Sequence, residues 1–591
     1  MTEVAPSQSA PPPSFVPEAG DAGDGPLISG LESTLEENLC ALLGESTREQ
    51  LVQRVLYAEN GQHVIIGGPN PPLYRAQGKL REFVVDGDDL EESVRDVRDG
   101  ETVFVFGISL GEQVAHILRT RTKCTVIAWE RDPWLMRLAL TRQDYWKSLS
   151  SGRLQLALGA DLLDHVPHLH EYRLVLHPVL RGIYTDELRL VSESVSGERP
   201  SEGRRWIGVG MGGVVVTDLA DALRAEGFTV FPLELQRWDP RETRLALERL
   251  RPEYVVTVNY DADVATACHE LDIPLVAWEI DPTTDRTPRS PSSEETFNIF
   301  TLRRRNIEVL REAGFAQVQY LPLGVDVEKR RPMELSREES GRYAAPVTFV
   351  GSSLVARAKR FKRLFLQLHA SFDCCGDEHF DETSERLESV LAAERADYSV
   401  YRSDALLEET FGDFLAAAKR SGTPGDPKKW VAEIVASQKR IAYVTALADE
   451  GVHVWGDEGW TEVEAAAPSL VYMGQASFQH ELTLVYNGAD INVDVNRIYQ
   501  PDVVPIRVFD VLACGGFMIA EHSDELADLF EIGKEVESYR TLGELEEKVA
   551  HYRRNPDEAE AIARCGHEAV QSRHTMRDRV KQLLAESMSP A

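Results

Sequence analysis

The stretch EYVVTVNYDADVATACHELDIPLVAWEI, residues 253–280, places one helical segment between two apolar strands. Strands that are covered by helices on both faces read as nearly continuous apolar runs, as YVVTV and PLVAW do. Alternation of strand and helix in this order is typical of a parallel sheet with helices packed on both sides. The stretch therefore predicts an α/β fold.

The alternation continues outward in both directions. Upstream lie the strand WIGVGMGG (206–213), the helix LADALRAEGF (219–228), the strand TVFPLEL (229–235) and the helix RETRLALERLR (241–251). Downstream, VQYLPLGVDVEKRR (318–331) contains Pro322 and Gly324 and is interpreted as a connection between domains. A further α/β block starts at VTFVGSSL (347–354), and its later strands include DINVDVN (490–496) and GFMIAE (516–521). Two such blocks leave a cleft at the carboxyl ends of their sheets, where ligands of these folds generally bind.

A separate strand, helix and strand unit precedes these blocks. TVFVFGISLGE (102–112) is followed by the helical AHILRT and then by TVIAWERD (125–132). Gly107 and Gly111 end the first strand, and Glu130 ends the second, the position where a nucleotide ribose is often held. Glycines at a tight turn from strand to helix are also needed for packing alone, and we favour that explanation.

These boundaries predict four segments. Residues 1–28 are rich in Pro, Ser, Gly and acidic residues and are expected to form a disordered tail. The other three are an N-terminal Rossmann-like accessory domain (29–200), a second α/β domain (201–340) and a C-terminal α/β domain (341–591) with a charged helical insertion at about 355–450.

The composition excludes several classes of function. The formal net charge of -33 opposes non-specific binding to nucleic acid, which depends on clustered Lys and Arg. The seven cysteines are scattered and form no C-x-x-C pair, so a reducing compartment fits best. The N-terminus lacks the basic start and apolar core of a secretory signal, and no apolar run is long enough to cross a bilayer. We therefore expect a cytoplasmic protein without an integral membrane segment.

The segment PDVVPIRVFDVLACGGFMIAEHSDELADLF (501–530) is the richest in candidate binding residues. Gly515 and Gly516 follow a helix, where small residues let a ligand approach the backbone. Asp510 and Asp528 are expected at one edge, where a carboxylate accepts hydrogen bonds from ribose hydroxyls. Arg507 lies one turn before Asp510 and could neutralise a pyrophosphate.

The order of these residues resembles the C-terminal motif R-x-F-E-x-L-A-C-G-G of the CgeB-like spore-maturation family of GT-B glycosyltransferases. AWEIDP (277–282), VQYLPLGVD (318–326) and VTFVGSS (347–353) are similar to three further motifs of that family, in the same order. The resemblance covers roughly residues 204–580. It implies a GT-B fold of two facing Rossmann-like domains in a bacterial protein. It also implies transfer of a sugar from a nucleotide-sugar to a protein, glycan or cell-surface precursor, with neither a metal nor a cofactor.

The same resemblance implies that Arg507, Asp510, Gly515, Gly516 and Asp528 face the donor. Asp stands at both 510 and 528 where many GT-B enzymes carry Glu, which shortens the reach of both carboxylates.

Further candidates lie at the start of the C-terminal domain. Gly351 and Ser352 end its first strand, where backbone N–H groups and hydroxyls can hold phosphate oxygens. Arg357 and Lys359 follow and either bind phosphate or form a solvated helix face. Tyr472 lies in the loop where GT-B enzymes often contact the nucleobase, although a core tyrosine is an equal interpretation.

Asp281 is the first candidate for the catalytic base, because it follows an apolar strand at the expected cleft edge. Glu279, Asp261 and His269 are alternatives. Asp281 also precedes Pro282, and Asp before Pro is a common turn and cap residue.

Two other functions stay open at this point. The paired Asp residues are compatible with a relative that binds nucleotide-sugars, or serves as a scaffold, without turnover. The N-terminal unit superficially fits an adenosylmethionine-dependent methyltransferase, and it is also similar to the Rossmann-like domain of motility accessory factor proteins, which glycosylate flagellin. An accessory role in acceptor recognition or assembly is the favoured hypothesis for that unit.

Overall fold

The computed structural model describes residues 32–43, 46–58, 64–65, 73–76, 79–82, 84–85, 87–196, 204–212, 215–235, 238–280, 297–372, 378–422, 425–478 and 481–587. The chain divides into two compact units, Met1–Arg199 and Pro200–Ala591. The predicted tail 1–28 lies outside the described residues. Within the described ranges, none of the helices has the length and apolar character that crossing a bilayer requires.

The described residues of the first unit form two sheets. Its strands are β1 (Val64–Ile65), β2 (Leu73–Ala76), β3 (Lys79–Glu82), β4 (Thr102–Phe106), β5 (Thr125–Glu130), β6 (Leu154–Leu158) and β7 (Arg173–Leu176). Its helices are α1 (Ser33–Cys40), α2 (Ser46–Leu56), α3 (Gly87–Val94), α4 (Glu112–Thr120), α5 (Pro133–Arg142), α6 (Trp146–Ser150), α7 (Leu162–His165) and α8 (Thr185–Ser196). Strands β6-β5-β4-β7 form a parallel sheet, in agreement with the predicted unit. The antiparallel sheet β1-β2-β3 was not predicted, because strands this short leave no readable period.

The second unit begins with what we call the middle domain. Its strands are β8 (Trp206–Gly210), β9 (Thr229–Leu233), β10 (Tyr254–Val258), β11 (Leu275–Glu279), β12 (Phe297–Thr301) and β13 (Gln317–Tyr320). Its helices are α9 (Val216–Ala225), α10 (Pro240–Leu250), α11 (Ala262–Leu271) and α12 (Asn306–Glu312). The strands pair in parallel in the order β13-β12-β11-β10-β8-β9.

Two strands of this sheet correct the sequence interpretation. β12 was not predicted, and β13 overlaps the start of the segment that was assigned to the interdomain connection. Both strands extend the sheet beyond β11 through parallel pairing with a neighbour. That pairing is a tertiary contact, and it overrides the breaking effect of the nearby Pro322 and Gly324.

The C-terminal domain follows. Its strands are β14 (Ala345–Val350), β15 (Val452–Trp455), β16 (Val471–Gly474), β17 (Ala489–Val493), β18 (Met518–Glu521) and β19 (Glu537–Tyr539). Its helices are α13 (Arg337–Tyr343), α14 (Val355–Phe372), α15 (Glu378–Arg395), α16 (Ser403–Arg420), α17 (Pro427–Ala446), α18 (Gly459–Ala466), α19 (Leu482–Gly488), α20 (Ile506–Ala513), α21 (Asp524–Leu529), α22 (Leu542–Arg554), α23 (Pro556–Arg573) and α24 (Met576–Ser587). All strands pair in parallel in the order β16-β15-β14-β17-β18-β19.

The helical insertion predicted at about 355–450 corresponds to α14, α15, α16 and α17. These helices pack on one another around their own buried cluster, which includes Phe365, Leu391, Phe411 and Val435. α17 begins at a clear signal, since Asp426 accepts a hydrogen bond from the Lys428 N–H at 3.0 Å and Pro427 occupies the first turn.

One continuous core joins the two domains of the second unit. It contains Val256 and Trp278 of the middle domain together with Phe509 and Leu583 from the C-terminal half. The last helix, α24, packs on α9, and the Met576 N–H donates to the Val325 carbonyl at 2.8 Å. The prediction of a GT-B-type α/β fold, with two Rossmann-like sheets preceded by a third, is therefore confirmed.

Candidate functional site

The C-terminal sheet has a topological switch point between β14 and β17. From these adjacent strands the chain continues toward opposite edges of the sheet, which opens a crevice at their carboxyl ends. Residues 351–354 follow β14 and residues 494–505 follow β17. The crevice is the place where a fold of this kind binds its ligand.

The loop after β14 has a rigid shape. Ser352 and Ser353 donate their hydroxyls to Asp457, and the Ser353 N–H also donates to that carboxylate at 3.1 Å. Leu354 has φ of 60°, a left-handed conformation that is rare for a bulky side chain. Residue 351 must be small, because a Cβ there would lie 2.8 Å from the Phe349 ring. The predicted phosphate-binding hydroxyl of Ser352 is thus held by Asp457.

Four arginines converge on this crevice: Arg357 from α14, Arg440 from α17, Arg497 from the loop after β17, and Arg507 from α20. Arg440 is buried and donates to the carbonyls of Ser352 at 2.7 Å and Val495 at 3.1 Å. Burial, together with the positive charges of Arg507 and Arg497, lowers the pKa of Arg440 to about 9. The lowered pKa marks a place where an anion would be stabilised.

Two buried carboxylates pair with three of these arginines. Glu433 on α17 accepts the Tyr499 hydroxyl at 2.8 Å and lies 3.4 Å from Arg357 Nη1 and 3.7 Å from Arg497 Nε. Asp494 is fully buried and lies 3.1 Å from Arg507 Nη1, while neither of its oxygens has a hydrogen-bond partner among the described residues. Within this group the guanidinium groups outnumber the carboxylates four to two, so the crevice favours a ligand with negative charge.

Helix α17 supplies residues that the sequence interpretation missed. Glu433, Ser437 and Arg440 are spaced by four and three positions and therefore share one helix face. Ser437 donates to the Ser353 carbonyl at 2.8 Å, so this face rests on the loop after β14. The charge of the insertion does not indicate that α17 contributes to the crevice. The signal in the sequence that could have shown it is the spacing of these polar residues on an otherwise apolar helix face.

The predicted donor residues occupy different surroundings. Arg357 and Arg507 belong to the arginine group, and Gly351 lies beneath it. Lys359 is exposed and pairs with Glu462 of α18 at 2.6 Å. Tyr472 is half-buried and donates its hydroxyl to the Gly456 carbonyl at 3.1 Å.

The motif around α20 is divided between several environments. Asp510 is buried and lies 3.5 Å from Arg330 of the interdomain connection, so it faces a different partner from Arg507. Asp528 is exposed and pairs with Arg304 at 3.2 Å. Gly515 adopts φ of 73°, and a Cβ at Gly516 would lie 3.1 Å from both Asn492 and Val511. These glycines are explained by backbone conformation and close packing.

The candidate catalytic residue Asp281 lies outside the described residues. Of the alternatives, Glu279 accepts the Tyr260 N–H, and Asp261 caps α11 by accepting two backbone N–H groups at 3.0 Å. His269 lies near the carboxyl end of α11, which is the edge of the sheet opposite the ends of β10 and β11. The topology therefore separates His269 from the cleft.

In the first unit, the Glu130 carboxylate is engaged in hydrogen bonds with neighbouring protein groups. It is buried and accepts the N–H groups of Ser109, Arg131 and Asp132, and the Tyr184 hydroxyl at 2.5 Å. A Cβ at Gly107 would lie 2.9 Å from Leu180, so the glycine turn is filled by protein side chains. This geometry agrees with the packing explanation for the turn. Among the described residues, the Glu130 carboxylate is occupied by protein donors rather than placed to bind a ribose.

Comparison with known proteins finds a family match for one part of the chain. Residues 435–585 match a family described as glycosyl transferase-like. No curated protein matches the chain.

Similar solved structures include sucrose-phosphate synthase from Thermosynechococcus elongatus, at 12% identity with a TM-score of 0.39, covering 65% of this chain and 98% of that chain. A glycosyltransferase from Rickettsia africae has 10% identity and a TM-score of 0.41, with coverage of 65% and 98%. Anabaena Alr3699/HepE, solved in complex with UDP-glucose, has 10% identity and a TM-score of 0.39, with coverage of 64% and 98%. The fold assignment rests on the sheet topology described above rather than on these scores. Residues 435–585 are thus similar to a glycosyl transferase-like family, and they lie within a GT-B-type fold.

Proposed function

We propose that the protein transfers a sugar from a nucleotide-sugar donor to a protein, glycan or cell-surface acceptor. The observation that carries the proposal is the group of four arginines at the switch point of the C-terminal sheet. Guanidinium groups are suited to bidentate binding of phosphate oxygens, and a preorganised cationic site also stabilises the charge on a departing nucleotide. This role needs neither a metal nor a cofactor, so we propose that the donor binds without either.

Residue roles follow from this proposal. Arg357, Arg440, Arg497 and Arg507 bind the phosphates, and Gly351 keeps the loop beneath them compact. Asp281 is proposed as the base on its sequence position after β11. We also propose membership of the CgeB-like family, a bacterial origin and a cytoplasmic location. Within the described residues the cysteines are free, which fits a reducing compartment.

A second candidate is binding of a nucleotide-sugar without transfer. It is favoured by the positions of Asp510 and Asp528, which pair with Arg330 and Arg304 instead of facing the arginine group. The two candidates differ only in turnover, so one experiment separates them.

The test measures thermal stabilisation by UDP-, GDP-, CMP- and dTDP-sugars in the wild type, in Arg440→Met and in a matched control, Arg360→Met, which changes an exposed arginine of α14. A ligand that binds the folded state raises the melting temperature. We expect one nucleotide class to stabilise the wild type and Arg360→Met, and to bind Arg440→Met about tenfold more weakly, which is about 1.4 kcal/mol. Arg440→Lys retains the charge and serves as a second variant if Arg440→Met melts early.

Release of the nucleotide from the stabilising donor, followed by chromatography, then measures turnover. Binding with release of the nucleotide supports transferase activity, and binding without release in the presence of candidate acceptors favours the second candidate. If no nucleotide-sugar stabilises the wild type, the donor assignment is wrong.

A further inference from the structure

Three consecutive arginines of the middle domain reach the C-terminal domain. Arg303 follows β12, is buried, and donates to both oxygens of Asp502 at 2.9 and 2.6 Å. Arg305 lies 3.1 Å from the same carboxylate and donates to the Tyr499 carbonyl at 2.9 Å. Two arginines thus fasten one short loop, residues 494–505, from across the domain boundary.

That loop carries part of the arginine group described above. Within it, Asn496 Nδ2 donates to the Val503 carbonyl at 3.0 Å, and the Gln500 N–H donates to the Arg497 carbonyl at 2.9 Å. The bond between Val503, which follows Asp502, and Asn496, which precedes Arg497, therefore connects the two parts of the loop. A displacement of Asp502 would be passed to Arg497 through these bonds.

A second connection runs through Tyr499. Arg305 donates to the Tyr499 carbonyl, and the Tyr499 hydroxyl donates to Glu433 at 2.8 Å. Glu433 in turn lies 3.4 Å from Arg357 and 3.7 Å from Arg497. Both connections lead from the middle domain to Arg497, and the second also reaches Arg357.

The neighbouring pair provides a contrast. Arg304 and Asp528 lie 3.2 Å apart, but their side chains are 52% and 59% exposed, against 3% and 12% for Arg303 and Asp502. Exposed pairs are screened by water and contribute little, whereas removing one partner of a buried pair leaves the other charge without compensation. The two adjacent arginines therefore form a matched comparison.

We propose that Arg303 is a positioning residue for the anion site: its bidentate pair with Asp502 fixes the loop 494–505 and thereby places Arg497 and Tyr499 against the ligand. The identity of the ligand rests on the proposed function, but the effect on the loop does not. Loss of the pair removes the buried, bidentate attachment of the loop and loosens it, so that Arg497 and Tyr499 are less well placed before any anion binds.

The experiment uses the full chain with Arg303→Met, Asp502→Asn, the double variant and the control Arg304→Met. Hydrogen exchange of the free protein follows the backbone N–H groups of Asn496, Gln500 and Val503, each of which donates a hydrogen bond. Calorimetry measures the affinity of inorganic pyrophosphate. We expect faster exchange at these positions and about tenfold weaker binding in either single variant, with no further loss in the double variant and no change in Arg304→Met.

The two arms separate the possible failures. If the wild type does not bind pyrophosphate, the proposed donor site fails, while the exchange arm still tests the positioning role. If Arg303→Met and Arg304→Met exchange and bind alike, the positioning role is overturned. Should Arg303→Met not fold, Asp502→Asn supplies the same comparison, because it removes the charge with little change in shape.

Discussion

At the scale of single residues, Asp510 shows how burial decides what a carboxylate does. It is fully buried in α20, lies 3.5 Å from Arg330 Nε, and one of its oxygens has no hydrogen-bond partner among the described residues. Burial raises the pKa of Asp510 to about 7, although the charge of Arg330 opposes the rise. This carboxyl group links α20 to the interdomain connection.

The raised pKa predicts a pH-dependent stability. An acid with a higher pKa in the folded protein takes up a proton on folding. The contribution of Asp510 to the free energy of unfolding is therefore fully present below pH 4 and is lost as the pH rises through about 7. The amide in Asp510→Asn does not titrate. We expect urea denaturation to show that, between pH 5 and pH 8, the wild type loses more stability than the variant. The two pH units between pH 5 and the folded pKa of about 7 limit this difference to about 3 kcal/mol.

Asp528→Asn is the matched control, since it makes the same change at an exposed carboxylate. It should show the same pH dependence as the wild type. Equal dependence in Asp510→Asn and the wild type would contradict the assignment of a buried, proton-binding Asp510.

At the scale of an element, α23 packs so closely that it requires a glycine. A Cβ at Gly566 would collide with the Glu535 carbonyl oxygen and lie 2.7 Å from Leu512, whereas nothing lies within 4 Å of a Cβ at Gly543 in α22. Overpacking a buried contact costs about 1–3 kcal/mol. Replacing an exposed helical glycine by alanine stabilises by about 0.4–1 kcal/mol.

We therefore expect Gly566→Ala to lower the free energy of unfolding and Gly543→Ala to raise it, as measured by chemical denaturation. The two substitutions add the same methyl group to neighbouring helices. Opposite signs support the packing of α23 on the loop before β19, and two changes of the same sign would refute it.

At the scale of the whole molecule, the last helix joins the two domains of the second unit. Met576, Val580 and Leu583 are buried in the core that the two domains share, and Arg579 donates to the Leu323 carbonyl at 3.0 Å. The C-terminal segment thus completes the middle domain, through contacts that are distant in sequence.

Leu583→Ala should cost about 2–5 kcal/mol in the free energy of unfolding, because it removes a fully buried side chain and leaves a cavity. Lys581→Ala, an exposed position two residues earlier, should change the stability by less than about 0.5 kcal/mol. Thermal melting of both variants checks the expectation. Similar melting temperatures would mean that α24 does not hold the domains together.

Part of the candidate site could be predicted from the sequence. Gly351, Arg357 and Arg507 lie at ends of predicted strands or helices, where parallel topology brings residues to one edge. Arg440 and Glu433 could not be placed, because their role depends on how α17 folds back onto the loop after β14. Asp510 was placed on the correct helix, but only its burial shows that it faces Arg330.

The sequence by itself determined the α/β class and the strand and helix alternation, because apolar periodicity is local and each run must bury its own apolar face. It also supplied the ionisable side chains around α20, but not their partners. Only the tertiary structure decided which charges meet. The pairs Arg303–Asp502 and Arg507–Asp494, and the gathering of four arginines at one switch point, join residues from separate elements, and distance in space has no counterpart in a local pattern.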